Sequence, residues 1–163
     1  VRGDFGLNVF NSRAMHYLKS LGLLSQMVSF ELMLPQVRDM SKAVDSELLV
    51  YGRLPLMLME NCLLKSRPGP CSCDSPSKLI DRMGEEFPLL KDPGTCRNVM
   101  YNGKRLYLLD KRKSLQNLGL WALRMSFTTE NPAEVDGALS QYFGAGDFDP
   151  GTCTRGLYAR GVE

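Results

Sequence analysis

Cys62, Cys71, Cys73 and Cys96 are separated by eight, one and twenty-two residues, and Cys153 stands apart from them. Thiolates bind soft or borderline metals, and four of them complete a tetrahedral zinc site or hold a four-iron cluster. Cys71 and Cys73 occur in CSCDSP, among serine, aspartate and proline rather than on an apolar face. That setting favours ligands over spare thiols, because a free cysteine ordinarily packs as a small hydrophobe. A C-x-C pair is tighter than the usual C-x2-C, so no simple zinc-ribbon pattern fits. Cys153 is the spare thiol and a substitute fourth ligand. A nucleophilic cysteine is the competing chemistry, and it needs a base to form thiolate. The one histidine, His16, falls mid-helix beside Met15 and Tyr17, the setting of a surface or packing residue. No Ser-His-Asp set can be drawn from the chain.

Two further groups of residues have the types that bind substrates. Glu31 falls in an apolar run with Val28, Phe30, Leu32 and Leu34, where a carboxylate is costly to bury unless paired. Tyr51 and Arg53 fall in the next apolar run. Glu31 with Arg53 makes either a structural ion pair across neighbouring strands or, with Tyr51, a polar cluster that binds substrate at the strand ends. Arg97, Lys104, Arg105, Lys111, Arg112 and Lys113 gather around Tyr101 and Tyr107. Such a β-surface holds RNA phosphates and stacks a base. Its plain alternative is a solvated hairpin whose charges block edge-to-edge pairing.

The elements that must position these residues are read from pattern. Of the 163 residues, 44% are hydrophobic and 23% charged, the balance of a globular chain of one or two domains. A net charge of +2 points to no class of partner, so a nucleic-acid binder of this composition needs a local basic patch. No apolar run approaches the ~20 residues of a membrane span. The opening VRGDFGLNVF lacks a basic start with an apolar core, and an odd cysteine count argues against a disulfide scaffold, so a cytoplasmic protein is expected. The chain does not open with Met and is read as a piece of a longer protein, with part of any site contributed from elsewhere.

GLNVFN, Met27–Leu32 and SELLVYGRLPLMLMENC read as three strands, separated by the helices RAMHYLKSLG and PQVRDMSKAV. Such alternation predicts parallel strands with crossover helices, and the continuous apolar runs predict burial on both faces. After Cys62 the texture changes to Pro, Ser, Gly and Cys, and the domain boundary is placed there, dividing 1–64 from 65–163. Met83-Gly84 and Asn102-Gly103 are read as turns between β-formers, the latter as a hairpin. GLWALRMSFTT is a strand, and Asn131, Pro132 and Glu134 open a helix over 132–143 with a capping box.

ELLVYGRLPLMLMENCLLK resembles the signature region of the peptidase U32 family, the collagenase-like proteases. Glu47, Gly52, Leu54, Cys62 and Leu64 match its spaced residues, while Leu49, Pro55, Glu60 and Lys65 depart from it. LIDRMGEEFPL, CRNVMYNGKRLYLLD, LWALRMSFTTENPAEV and TRGLYARGVE resemble the family's downstream region, so the likeness runs from about Gly6 onward. The resemblance implies the last β/α units of a TIM-like barrel, residues 1–64, followed by a Cys-containing β-rich extension. Barrel units without the remaining strands leave open edges, so a homo-oligomer, or completion by an N-terminal half of the barrel, is implied as well. Members are named as peptidases, and relatives carry out oxygen-independent hydroxylation of tRNA or rRNA bases, or of a quinone precursor, with prephenate as hydroxyl donor. In those relatives cysteines hold a 4Fe–4S cluster. Cys62 matches the last cysteine of the signature, and Cys71, Cys73 and Cys96 stand where further ligands are expected. Pro55 replaces one ligand position, which leaves both a zinc site and a cluster completed by Cys96 open. Three functions are carried forward: RNA hydroxylation, proteolysis of a peptide substrate, and a zinc-stabilised docking module.

Overall fold

The computed structural model describes residues 1–65, 77–92 and 94–160. It is a mixed α/β structure of two compact units, Val1–Gly52 with Leu106–Glu163, and Arg53–Arg105. The second unit is an excursion from the first: the chain leaves after Gly52 and returns at Leu106. The β-rich residues are thus bracketed by the α/β unit, whereas a division into 1–64 and 65–163 has them trail it.

In the first unit the elements run β1 (Arg2–Gly3), α1 (Ser12–Ser20), β2 (Ser25–Met27), α2 (Leu34–Asp39) and β3 (Asp45–Gly52). β1 pairs parallel with β2, and β2 parallel with β3. α1 starts where the Asn11 side chain accepts the Ala14 N–H at 2.9 Å, so the cap is Asn11 and Ser12 is already helical. α2 has Pro35 in its first turn, where a missing N–H costs nothing. β3 is buried from Ser46 to Gly52, and Leu48, Leu49, Val50 and Tyr51 belong to the core with Met15, Val28 and Val37. That is the burial expected of a parallel strand covered on both faces.

The second unit holds β4 (Pro55–Met59), β5 (Ser77–Ile80), β6 (Glu86–Lys91) and β7 (Asn98–Tyr101), an antiparallel sheet ordered β4-β7-β6-β5. The β5–β6 turn falls at Met83-Gly84 as read: Gly84 has φ +83°, and Asp81 Oδ1 accepts the N–H groups of Met83 and Glu85 at 2.8 and 2.9 Å.

Back in the first unit come β8 (Arg105–Tyr107, its first residue at the boundary), α3 (Arg112–Leu115), β9 (Ala122–Ser126), α4 (Pro132–Phe143) and β10 (Cys153–Thr154). β9 pairs parallel with β3, giving four parallel strands in the order β1-β2-β3-β9. β8 pairs antiparallel with the last two residues of β3. The strands of the described residues do not close into a barrel. α4 opens with the expected reciprocal cap: Asn131 Oδ1 accepts the Glu134 N–H at 3.0 Å and Glu134 Oε2 accepts the Asn131 N–H at 2.9 Å.

Five readings are corrected. The strand read over Met27–Leu32 ends near Val28, because Ser29 turns the chain: its Oγ accepts the Glu31 N–H at 3.2 Å and its carbonyl the Leu32 N–H at 3.3 Å. GLNVFN is no strand: Gly6 and Leu7 belong to a 3-10 turn, Phe5–Leu7, capped by Asp4, and only Val9 bridges, to Val28. The long third strand is two strands in different sheets. Gly52 breaks it with φ +123°, and a Cβ there would lie 2.0 Å from the Ser126 carbonyl oxygen, so only glycine fits. In β4 Leu56, Met57 and Leu58 are exposed, where a buried strand was expected. Finally, Asn102-Gly103 is a turn but no hairpin, since β7 and β8 belong to different sheets.

Candidate functional site

Sheet register brings two of the four expected metal ligands to one place. β4 ends at Met59, which faces Asn98, the first residue of β7. Cys62 follows Met59 by three residues and Cys96 precedes Asn98 by two, so both thiols emerge at the same end of the β4–β7 pair. Asn98 secures one arm: its Oδ1 accepts the Leu63 N–H at 2.9 Å. Asn98 is fully buried, and its Nδ2 donor has no partner among the described residues. Lys91, the last residue of β6, faces Asn98 at this end as well. Cys71 and Cys73 lie outside the described residues. Their described flanks return to this region: Lys65 donates its N–H to the Cys62 carbonyl at 3.2 Å, and Ser77 faces Leu89, two residues from Lys91. Cys62 is half-buried and Cys96 exposed. Among the described residues no group of three or more His, Cys, Asp and Glu side chains converges on a metal position.

The loop that presents Cys96 is built by Asp92. Its backbone N–H donates to the Arg97 carbonyl at 2.9 Å, closing the loop. Its Oδ2 accepts the Thr95 hydroxyl at 2.9 Å and the Arg97 guanidinium at 2.8 and 3.1 Å. Arg97, expected to bind RNA, is therefore spent on positioning a cysteine loop, and it also reaches Glu60 Oε1 at 3.5 Å. The Thr95 hydroxyl, then the Arg97 guanidinium, hold the Asp92 pKa below the ordinary carboxylate value. A carboxylate with a depressed folded pKa stabilises above its unfolded value, near pH ~4, and that contribution is lost as pH falls through the folded value. Hydrogen exchange of the Arg97 amide, which donates to Thr95 Oγ1 at 3.1 Å, checks this. Its protection factor is expected to fall in wild type as acid approaches the Asp92 pKa and to stay flat in Asp92→Asn. A flat wild-type profile refutes the tie.

The other sequence candidates disperse. Glu31 is half-exposed in the turn after β2 rather than on a strand. Tyr51 is 0% exposed, inside an aromatic cluster with ring centroids 5.3 Å to Phe127, 6.3 Å to Phe148 and 6.4 Å to Tyr107. Arg53 belongs to the second unit, where its Nη1 donates to the carbonyls of Asn102 (2.9 Å) and Gly103 and braces that turn. Lys104 is exposed and Arg105 half-buried; Lys111, in the first unit, has its ammonium 4.0 Å from Asp110 Oδ2. His16 is exposed, with Nε2 3.5 Å from Ser41 Oγ.

A different carboxylate is the buried one. Glu47 on β3 is 4% exposed. Its Oε2 accepts Arg124 Nε at 2.9 Å and Nη2 at 2.5 Å, and its Oε1 accepts the Ser25 hydroxyl at 3.0 Å. Arg124 Nη1 continues to Asp4 Oδ1 at 3.0 Å. Register places Arg124 beside Leu49, two residues along from Glu47, so both side chains share one face of the parallel sheet. Glu47 stood among the signature positions, and a carboxylate inside SELLVYG was the available signal. Its partner seventy-seven residues away had none.

No protein-family model, curated protein or solved structure matches the chain. No helix among the described residues is long and apolar enough to cross a membrane.

Proposed function

We propose that this chain is part of a U32-type enzyme that hydroxylates a tRNA or rRNA base without molecular oxygen, using thiolate ligands Cys62, Cys71, Cys73 and Cys96. On this reading β1, β2, β3 and β9 are the last strands of a TIM-like barrel, and the β-rich unit is inserted before the final one. The observation that carries the metal site is the convergence of Cys62 and Cys96 at one end of β4–β7. Asn98 adds to it. A buried donor without a partner costs ~1–3 kcal/mol, and a thiolate or sulfide sulfur is an acceptor that removes the cost. The donor set is all-thiolate, which suits a 4Fe–4S cluster or zinc. Bound there, a cluster supplies one-electron redox chemistry.

The chain's own residues do the positioning. Asn98 pins the Cys62 arm through Leu63, and Asp92 with Thr95 and Arg97 fixes the Cys96 loop. The half-exposed Cys62 and exposed Cys96 keep the site open to a substrate. The hydroxyl donor is a small acid of the prephenate type.

The test uses anaerobically purified protein with tRNA and rRNA, with prephenate added, followed by mass spectrometry of the released nucleosides. A base that gains one oxygen only when protein and prephenate are both present is the expected result. Unmodified RNA together with gelatin cleavage by metal-free protein, stopped by a cysteine-blocking reagent, replaces this reading with the peptidase. A colourless protein with one zinc and neither activity replaces it with a docking module.

A further inference from the structure

Trp121 is the only tryptophan of the chain and is 51% exposed, an unusual position for the largest apolar side chain. It immediately precedes β9, held in place by its N–H, which donates to the Ser46 carbonyl at 2.9 Å. With Leu120 it lines two neighbouring depressions of the first unit. One, of about 500 Å³, is also lined by Lys19, Lys42, Leu24 and Asp45. The other, of about 260 Å³, is also lined by Arg112 and Tyr142.

The charges around Trp121 are of one sign with a single exception. Asp45 is the one carboxylate lining either depression, against Lys19, Lys42 and Arg112. Lys42 is fixed in place, its ammonium donating to the carbonyls of Val37 at 2.6 Å, Met40 at 3.1 Å and Arg38 at 3.3 Å, so it contributes charge rather than a free donor. Arg112 is fixed too: it donates to the Tyr142 carbonyl at 3.1 Å and lies 5.4 Å from that ring's centroid. Lys19 is exposed, and its ammonium has no hydrogen bond or ion pair among the described residues. The Arg2 guanidinium lies 5.0 Å from the centroid of Trp121. Cations alternating with aromatic rings around an exposed indole match what a single-stranded nucleic acid offers, phosphates between π-faces. Arg97, by contrast, already has its carboxylate partner.

We infer that this strip, rather than the Tyr101–Tyr107 surface, binds single-stranded RNA. One unpaired base stacks on Trp121, Lys19 and Arg112 hold the flanking phosphates, and Lys42 adds its charge to the local field. The inference rests on the RNA part of the proposed function for the identity of the polymer.

Because Trp121 is the sole tryptophan, intrinsic indole fluorescence reports this position alone. Titrating the full chain with a single-stranded twelve-residue oligoadenylate is expected to give saturable quenching that weakens with salt. By anisotropy of a labelled copy, Trp121→Ala is expected to weaken binding about tenfold, the loss typical of one stacked base. Lys19→Glu is expected to weaken it severalfold and to flatten the salt dependence. If Trp121→Ala fails to fold, quenching in wild type and the Lys19→Glu variant decide. Binding without quenching that Lys19→Glu leaves unchanged overturns this site, and leaves the RNA reading intact if Lys104→Glu weakens it. An oligoadenylate that does not bind while RNA is still hydroxylated also overturns the site alone. Unmodified RNA with full quenching overturns the hydroxylase and leaves the site. Equal affinity for a duplex, or free adenosine binding as tightly as the oligomer, overturns stacking of a polymer here.

Discussion

Cys62→Ser and Cys96→Ser are each expected to remove iron and sulfide from anaerobically purified protein, from about four irons per chain to well under one. The expectation follows from sheet register. Met59 faces Asn98, so the segment leaving β4 and the segment entering β7 meet at one end of the sheet whatever the rest of the chain does. Serine is close in shape but its hydroxyl is not deprotonated near neutral pH, so it is a poor replacement for a thiolate ligand. Cys153→Ser is the control. Cys153 lies on β10 in the other compact unit and is expected to leave iron unchanged. Asn98→Leu separates the support of the site from its ligands, because it removes both the Leu63 tie and the buried donor while keeping every thiol. Its expected result is reduced iron content in protein with a normal circular dichroism spectrum. Unchanged iron in Cys62→Ser sinks the ligand assignment. Stoichiometric zinc and no iron in wild type keeps the thiolates as ligands and sinks the redox chemistry.

The second large effect is at Glu47. Arg124→Leu is expected to destabilise the protein by about 2–4 kcal/mol, because it strands a carboxylate that is 4% exposed. The figure sits below that of a fully enclosed pair because the Arg124 side chain is 30% exposed and water reaches it. For a chain of this size that corresponds to a fall of roughly 5–15 °C in Tm. The pair Glu47→Leu with Arg124→Leu is expected to recover most of the loss, since two apolar side chains on one sheet face bury no charge. Chemical denaturation of the two single variants and the double variant closes the cycle. A double variant no more stable than Arg124→Leu refutes stranded charge as the cause and puts the cost in lost packing.

The register of this pair explains why it escaped detection along the chain. Strand alternation places Glu47 and Arg124 on one face once β3 and β9 are known to be neighbours, but the two strands are separated by a whole folded unit. Glu31 looked like the buried carboxylate because its neighbours are apolar, and a run of apolar residues does not reveal where a strand stops. Ser29 stops it, through a side-chain hydrogen bond to the Glu31 N–H that competes with the ladder. Arg53 and Arg97 were marked by charge alone. Their roles as brace of a turn and tie of a loop depend on which carbonyls and carboxylates the fold brings within reach.

Local signals were legible wherever the physics is local. The capping box of Asn131 and Glu134, the first-turn prolines of α2 and α4, the turn at Met83-Gly84 and the apolar run 48–51 of β3 all follow from residues within a few positions of one another. The alternation of strands and helices likewise announced parallel pairing, which β2 and β3 adopt, whereas the first strand is Arg2–Gly3 and GLNVFN contributes only the parallel bridge of Val9 to Val28. Tertiary structure alone decided that β9 returns to β3 across the inserted sheet, that Cys62 and Cys96 share a sheet end, and that Glu47 has Arg124 for a partner. Caps and turns are set by short-range sterics and hydrogen bonds, which a sequence window contains. Strand neighbours separated by an insertion are chosen by burial over the whole chain, which no window contains.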